Sequence, residues 1–548
     1  MKKSKFLKLI SACICLIFVF CSCANSTHQN EGKPENSGSD TQNTENITLI
    51  YSATDSLNPY RAVTEANAQV SLLMFDPLIK IDSDFNPVNI LAESINKSED
   101  GSLKIKLKSA AFTDSTPLTS ADVVFSYNLA KQSKTKYAYQ LESVISCTAL
   151  GEREVEFKFS KNDPYAVNLL DFPIIKADSD NRTDQDNVAL APIGCGRYLF
   201  DRENEQLVAN ENYHAGDLSV KSIALLNSPD DEAIDHNISV GAVDMYFTDL
   251  SKESITRMSG KRTSVNLNNL IYLGANMSED HILSNVHLRY AVSAAISREQ
   301  IAKEAYYQNA VSATGIFNPA FEPSSQYQTL QKTADKQIVV VNLSQIGYNT
   351  FDSEGYAVNS KGKRLALSIL VNEESSYKKL AATLLAKQMC DAGIYTTVTA
   401  VPYAEYMARL ARGEFSLYIA ETIILNNMDI TELVCPGGSA AYGVKNPTPP
   451  PQQDEQVGTQ ESVSQEPANQ PEAEPTNDIN CEQILKSFYS GECEIGSVCT
   501  IFESQLPIIP VVYKTGILFY SNDIETTPQA TLSDIFFSLE NFKINPTK

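Results

Sequence analysis

The stretch Phe112-Thr-Asp-Ser-Thr-Pro-Leu-Thr-Ser-Ala-Asp-Val-Val-Phe125 carries a helix start in its second half. Thr119 is placed to cap the amide of Asp122, and Asp122 to reach back to Thr119. Leu118 and Val123 form an apolar staple across the same junction. Strands flank this helix. Leu103-Lys-Ile-Lys-Leu-Lys108 alternates strictly after a turn at Asp100-Gly101, and Val155-Glu-Phe-Lys-Phe159 alternates as well. Period-two alternation marks a half-buried strand in an antiparallel sheet with one face in water.

Farther out, strands and helices remain mixed. Ile47-Thr-Leu-Ile-Tyr51 reads as a strand ending in the turn Asp55-Ser-Leu-Asn-Pro-Tyr60. The runs Val286 to Ala305 and Tyr377 to Met389 place apolar residues at helical spacing, which predicts amphipathic core helices. Two segments lack the apolar content to fold. Asn25 to Asn46 is polar and reads as a flexible tether. Asn446 to Asn480 is rich in Pro, Gln and Glu, with seven acidic residues and no lysine or arginine, and is expected to be disordered. Cys435 and Cys481 flank it, and a bridge between them would staple its base.

The first 22 residues pair a basic start (Lys2, Lys3, Lys5, Lys8) with the apolar run Leu9 to Phe20. Twelve residues are too few for a spanning helix, which needs roughly 20, so residues 1–22 are expected to be a signal peptide. The formal charge is −23, and about −27 once the leader lysines are removed. Phosphate binding calls for clustered Lys and Arg, so this balance argues against nucleic acid. Seven cysteines lie beyond Cys23, an odd number, and none stands in a CxxC or Cys/His zinc spacing. The five histidines are scattered, and no metal site is expected.

Catalytic signatures are also lacking. There is no GxSxG, no HExxH, no Gly-rich phosphate loop and no GxGxxG after a strand. Cys195, between Gly194 and Gly196, has no histidine near it in sequence, and Asp230-Asp231 reads as a solvated pair in a polar loop. Neither an enzyme activity nor a cofactor is expected.

Several motifs occur in an order that resembles a known family. Phe20-Cys21-Ser22-Cys23 resembles the lipobox of bacterial lipoproteins, with Cys23, after the small Ser22, as the acylated residue. Leu57-Asn-Pro-Tyr60, Phe75-Asp-Pro-Leu-Ile-Lys-Ile-Asp82, Leu91-Ala-Glu-Ser94 and the opening stretch Phe112–Phe125 follow. So do Pro192-Ile-Gly-Cys-Gly-Arg-Tyr198, Val286–Arg298, Leu384–Ile394 and Pro507–Tyr513. Together they resemble the extracellular solute-binding proteins of ABC transporters called family 5, the oligopeptide- and dipeptide-binding class. There are departures. The chain has no tryptophan, so Ile95 and Tyr418 stand where the family often has one; Ser297 replaces an Asp before Arg298, and Ser115 replaces a turn glycine.

The resemblance implies an α/β, two-lobed periplasmic-binding-protein-like fold of the class II type with an extra inserted subdomain. Lobe I would comprise 47–60, 190–268 and 508–548, the inserted subdomain 61–189 and lobe II 269–507, with two crossing strands as hinge. Residues 23–46 would be the lipidated tether. It implies Cys23 as the lipid attachment and a membrane held through that anchor. Its partners would be a small peptide and the permease subunits of an ABC importer. Phe415–Asp429 corresponds to the family's ligand-reading segment, and Glu421 takes the place of the acid that pairs with a ligand α-ammonium. Val63-Thr64-Glu65 falls where a bound peptide pairs with the backbone as an added strand, and Tyr418 would add an aromatic wall. Two other readings are compatible: the same fold binding a nickel chelate or sugar, and a peptide-sensing surface lipoprotein without transport.

Overall fold

The computed structural model describes residues 47–251, 258–446 and 479–545. The leader, Cys23 and the tether lie outside them, as does all but the two ends of the segment 446–480. Alternation in the sequence becomes alternation in space. Leu103–Leu107 buries Leu103, Ile105 and Leu107 and exposes the lysines between them. With Ala92–Lys97, Val144–Gly151 and Glu154–Phe159 it forms a four-stranded antiparallel sheet. The helix Ser120–Gln132 packs beside it and begins as expected: Asp122 Oδ2 accepts from Thr119 N at 2.8 Å, and Leu118 and Val123 are buried.

A second four-stranded sheet joins distant parts of the chain in the order Ile47–Tyr51, Ser222–Asn227, Gln206–Ala209, Tyr198–Asp201. Its first pair is parallel and the others antiparallel. A seven-stranded sheet is built on two long strands, Lys261–Ala275 and Ile508–Tyr520, which run antiparallel along each other. One end of this pair adds Met245–Thr248. The other adds Leu417–Ile423, then Ala366–Asn372 and Tyr395–Val401, the last two joining in parallel, and the seventh strand, Ala310–Ser312, pairs antiparallel with Ile508–Tyr520. Between the two ends the ladder breaks: pairing stops at Asn266 and resumes at Leu270. Such an irregularity bends a strand and is suited to a hinge between lobes.

Buried charge holds the C-terminal segment to the first half of the chain. Asp534 accepts from Arg197 at 2.6 Å and from Lys80 at 2.9 Å, and Asp76 meets Lys80 and His214. All four charged side chains are almost completely buried, so each depends on its partners for solvation. Gly196 is needed where the chain crosses Met74, because a Cβ there would lie 2.5 Å from the Met74 carbonyl carbon.

Three expectations change. The run Val286 to Ala305 is two helices, Val286–Ala295 and Arg298–Glu304, broken at extended Ile296 and restarted by Ser297, whose side chain accepts from Gln300 N. The reason lies in Arg298, which is fully buried and spends its guanidinium on the carbonyls of Ser293, Gln331 and Pro510. Asp230 and Asp231 are exposed, as expected of a solvated pair, but they open a helix and do not lie in a loop: Asp230 caps Asp231–Ser239 by accepting from Ala233 N at 2.9 Å. Cys435 and Cys481 are unbridged, as are the other five cysteines among the described residues. Cys435 ends one helix and Cys481 opens another; burial pushes the Cys481 thiol up to about 12, and burial with the nearby carboxylates of Glu482, Asp429 and Glu432 pushes the Cys435 thiol up to about 11.

Candidate binding cleft

The ladder break opens onto a cleft of about 1300 Å³. Leu267 and Asn269, within the break, form part of its wall. Opposite stand the turn and first helix around Tyr60, Val63, Glu65 and Gln69, and the helical segment around Lys134, Tyr137 and Gln140. Phe247 and Asp249, Ile423 to Asn426, and Thr531 to Ile535 complete it. The lining combines apolar surface with a few charges, the usual composition of a ligand site.

The turn Asp55–Tyr60 positions the near wall. Asp55 Oδ2 accepts from Thr64 N at 2.8 Å and Thr64 Oγ1 at 2.7 Å, and Asp55 also takes the Val63 amide. Thr64 in turn caps the helix Glu65–Met74 by accepting from Asn67 N. This leaves Val63 projecting at 88% exposure beside Glu65 on the cleft. The amides of Val63 and Thr64 are therefore engaged, and the Thr64 carbonyl accepts from Ala68 N at 3.1 Å, so most of the polar backbone of this turn is already used within the protein. Thr64 holds the turn and does not line the cleft.

Leu417–Ile423 supplies the opposite wall through its last residue. Ile423 is 57% exposed in the cleft, and Ile424, Leu425 and Asn426 continue the wall beyond the strand. None of these four carries a charge. Tyr418 is far from an aromatic wall: it is fully buried, its ring lies over Gly274, and its hydroxyl donates to Ala440 O at 3.3 Å. Phe415 and Tyr272 pack edge-on against it. The missing Cβ of Gly274 opens the space the ring occupies, so this side chain belongs to the core.

Glu421 is not on the lining but sits behind it, two residues before Ile423 on the same face of the strand. Its Oε1 accepts from Asn269 Nδ2 at 3.0 Å and Lys514 Nζ at 2.8 Å, and its Oε2 from Lys378 Nζ at 2.9 Å. Burial alone would push this carboxyl up. The two ammoniums outweigh burial and hold it down at about 2. Asp429, at the end of the Phe415–Asp429 segment, is occupied too: it pairs with Lys161 and accepts from Tyr489 Oη at 2.7 Å.

The sequence reading missed Asn269, Lys378, Lys514 and the Ile423–Asn426 wall. The wall was within reach, since period two carries Glu421's face on to Ile423. The lysines were not, because they arrive from a helix and a strand far away in sequence. No group of three or more His, Cys, Asp or Glu side chains among the described residues could hold a metal ion.

Two lobes meeting at a broken ladder beside a large cleft define a solute-binding fold. The family model for bacterial extracellular solute-binding proteins, family 5 (middle), matches residues 86–432, and the chain belongs to that family. It is similar to the oligopeptide-binding protein AppA of Bacillus subtilis (strain 168), 22% identical over 450 residues, covering 75% of this chain and 79% of that one. Among solved structures it is similar to the periplasmic murein tripeptide-binding protein MppA in its unliganded open form. That match has a TM-score of 0.67 at 17% identity and covers 91% of this chain and 98% of the other. NikA from Brucella suis in complex with Fe(III)-EDTA gives 0.64 at 15%, covering 91% and 100%. The two structures share the fold.

Proposed function

We propose that this chain is a lipid-anchored binding protein, tethered at Cys23, that captures peptides outside the membrane and delivers them to the permease subunits of an ABC importer. The observation that carries the reading is the cleft of about 1300 Å³. It exceeds the roughly 300–1,000 Å³ of ordinary small-molecule pockets and has room for an extended ligand of several residues. Peptide-binding relatives support it. Residues 47–60, 190–268 and 508–548 would move as one lobe carrying the subdomain 61–189, closing on 269–507 about the break at 266–270.

A second reading keeps the fold and changes the solute to a metal chelate, favoured by the likeness to a protein solved with Fe(III)-EDTA. A thermal-shift screen with peptide pools, oligosaccharides and nickel–histidine separates them. Ligand at 100 times its dissociation constant adds roughly 2.7 kcal/mol to the folded state. A shift with peptides is expected; silence with peptides and a shift with the chelate would replace the first reading by the second.

A further inference from the structure

The cluster behind the cleft wall has an excess of positive charge. Among the described residues it sets two ammoniums, Lys378 and Lys514, against the single carboxylate of Glu421. A carboxylate has about four acceptor positions, and three are used here, by Asn269, Lys514 and Lys378. A ligand ammonium arriving at Glu421 would be a third cation around one anion in a partly dry site, repelled at short range by both lysines. A ligand carboxylate would make two cations and two anions.

The donors for it are present. Each ammonium has three N–H groups, and Lys378 and Lys514 each spend one on Glu421. Lys514 has a side chain only 6% exposed, whereas Lys378 and Glu421 are open to 24% and 21%. Beside them lies Tyr306, 2% exposed, whose hydroxyl has no hydrogen-bond partner and which feels the charge of Glu421. Its ring stacks on that of Tyr377, the neighbour of Lys378, with centroids 6.2 Å apart. A buried hydroxyl without a partner costs free energy that an incoming acceptor removes. The cluster adjoins the cleft: Asn269 belongs to both, and Glu421 is about 6.6 Å along the strand from Ile423.

We propose that Lys378, Lys514 and the Tyr306 hydroxyl form a subsite that receives a carboxylate of the ligand, with Glu421 holding the two ammoniums in position and receiving no ligand ammonium. The inference rests on the reading that solute is captured in this cleft, and it names the end of a peptide that is read there. Glu421 is thereby a positioning residue.

Isothermal titration of the full chain with one short peptide in four forms (free, N-acetylated, C-amidated and doubly blocked) tests it. Amidation is expected to weaken binding tenfold or more and acetylation less than threefold. Lys378→Met should remove the amidation penalty, Lys378→Arg should restore it, and Glu421→Gln should leave the free acid preferred over the amide. Acetylation dominating, or an amidation penalty that survives in a folded Lys378→Met, overturns the subsite. If no peptide binds, gluconate against glucose and succinate against succinamide decide. A carboxylate preference lost in Lys378→Met keeps the subsite and discards peptide capture, and no carboxylate preference in any pair overturns the subsite.

Discussion

Glu421 shows how a single side chain changes meaning with its neighbours. Alone on a strand, a carboxylate near a cleft invites a cation; between Lys378 and Lys514 it is already neutralised. Its folded pKa of about 2 lies below the usual 4.5, so its stabilisation is fully present above about pH 4.5 and is lost as pH falls toward 2. Chemical denaturation from pH 7 to 2 should show a drop of about 2–3 kcal/mol across that window that is missing in Glu421→Gln. At pH 7 the variant itself should be about 2–4 kcal/mol less stable, because two lysines lose their buried counter-charge. Ser115 offers the opposite case. Its φ is +65°, in the left-handed region that favours glycine. Ser115→Gly relieves that strain but removes the hydroxyl that accepts from Asn212 Nδ2 at 3.2 Å, an exposed bond of small net value, so a urea melt should show a gain of about 0.5 kcal/mol.

Among elements, the contact of Leu417–Ile423 with Lys261–Ala275 decides what Tyr418 does. Gly274 and Tyr418 are register partners, and a Cβ on Gly274 would lie 2.0 Å from the ring. Gly274→Ala should therefore cost about 3 kcal/mol or more in thermal denaturation. Tyr418→Phe should cost only about 1 kcal/mol, the value of its hydroxyl bond, and leave ligand affinity unchanged by titration. A large affinity loss in that variant would return Tyr418 to the binding site.

For the molecule as a whole, segments 161–171 and 426–429, which reach the cleft lining at Asp171 and Asn426, are tied to each other by side-chain contacts. Lys161 pairs with Asp429 and lies 3.8 Å over the Tyr489 ring, Asp163 accepts from Asn427 at 2.6 Å, and Asn168 donates to Asn426 O at 3.0 Å. In the proposed closure about the ladder break, this set would form and part as a unit. Lys161→Ala should speed ligand release about fivefold in stopped-flow measurements, matching about 1 kcal/mol for a partly exposed charge pair, with little change in melting temperature.

Much of this was legible along the chain, for a simple reason. Strands such as Leu103–Leu107 and the capped start of Ser120–Gln132 are determined by neighbours two to four residues apart, and the sequence contains all of those neighbours. The α/β two-lobed fold was legible only through the resemblance that the ordered motifs carry. What tertiary structure alone decided is which distant groups meet. Neither the engagement of Asp55 with the Val63 and Thr64 amides nor the space left by Gly274 for Tyr418 is written in spacing. The charge of the site is the clearest instance. Lys378, Glu421 and Lys514 lie 43 and 93 residues apart, and only the packing of a helix on the folded sheet, by bringing them within hydrogen-bond reach in a poorly solvated place, sets the sign of the charge offered to a ligand.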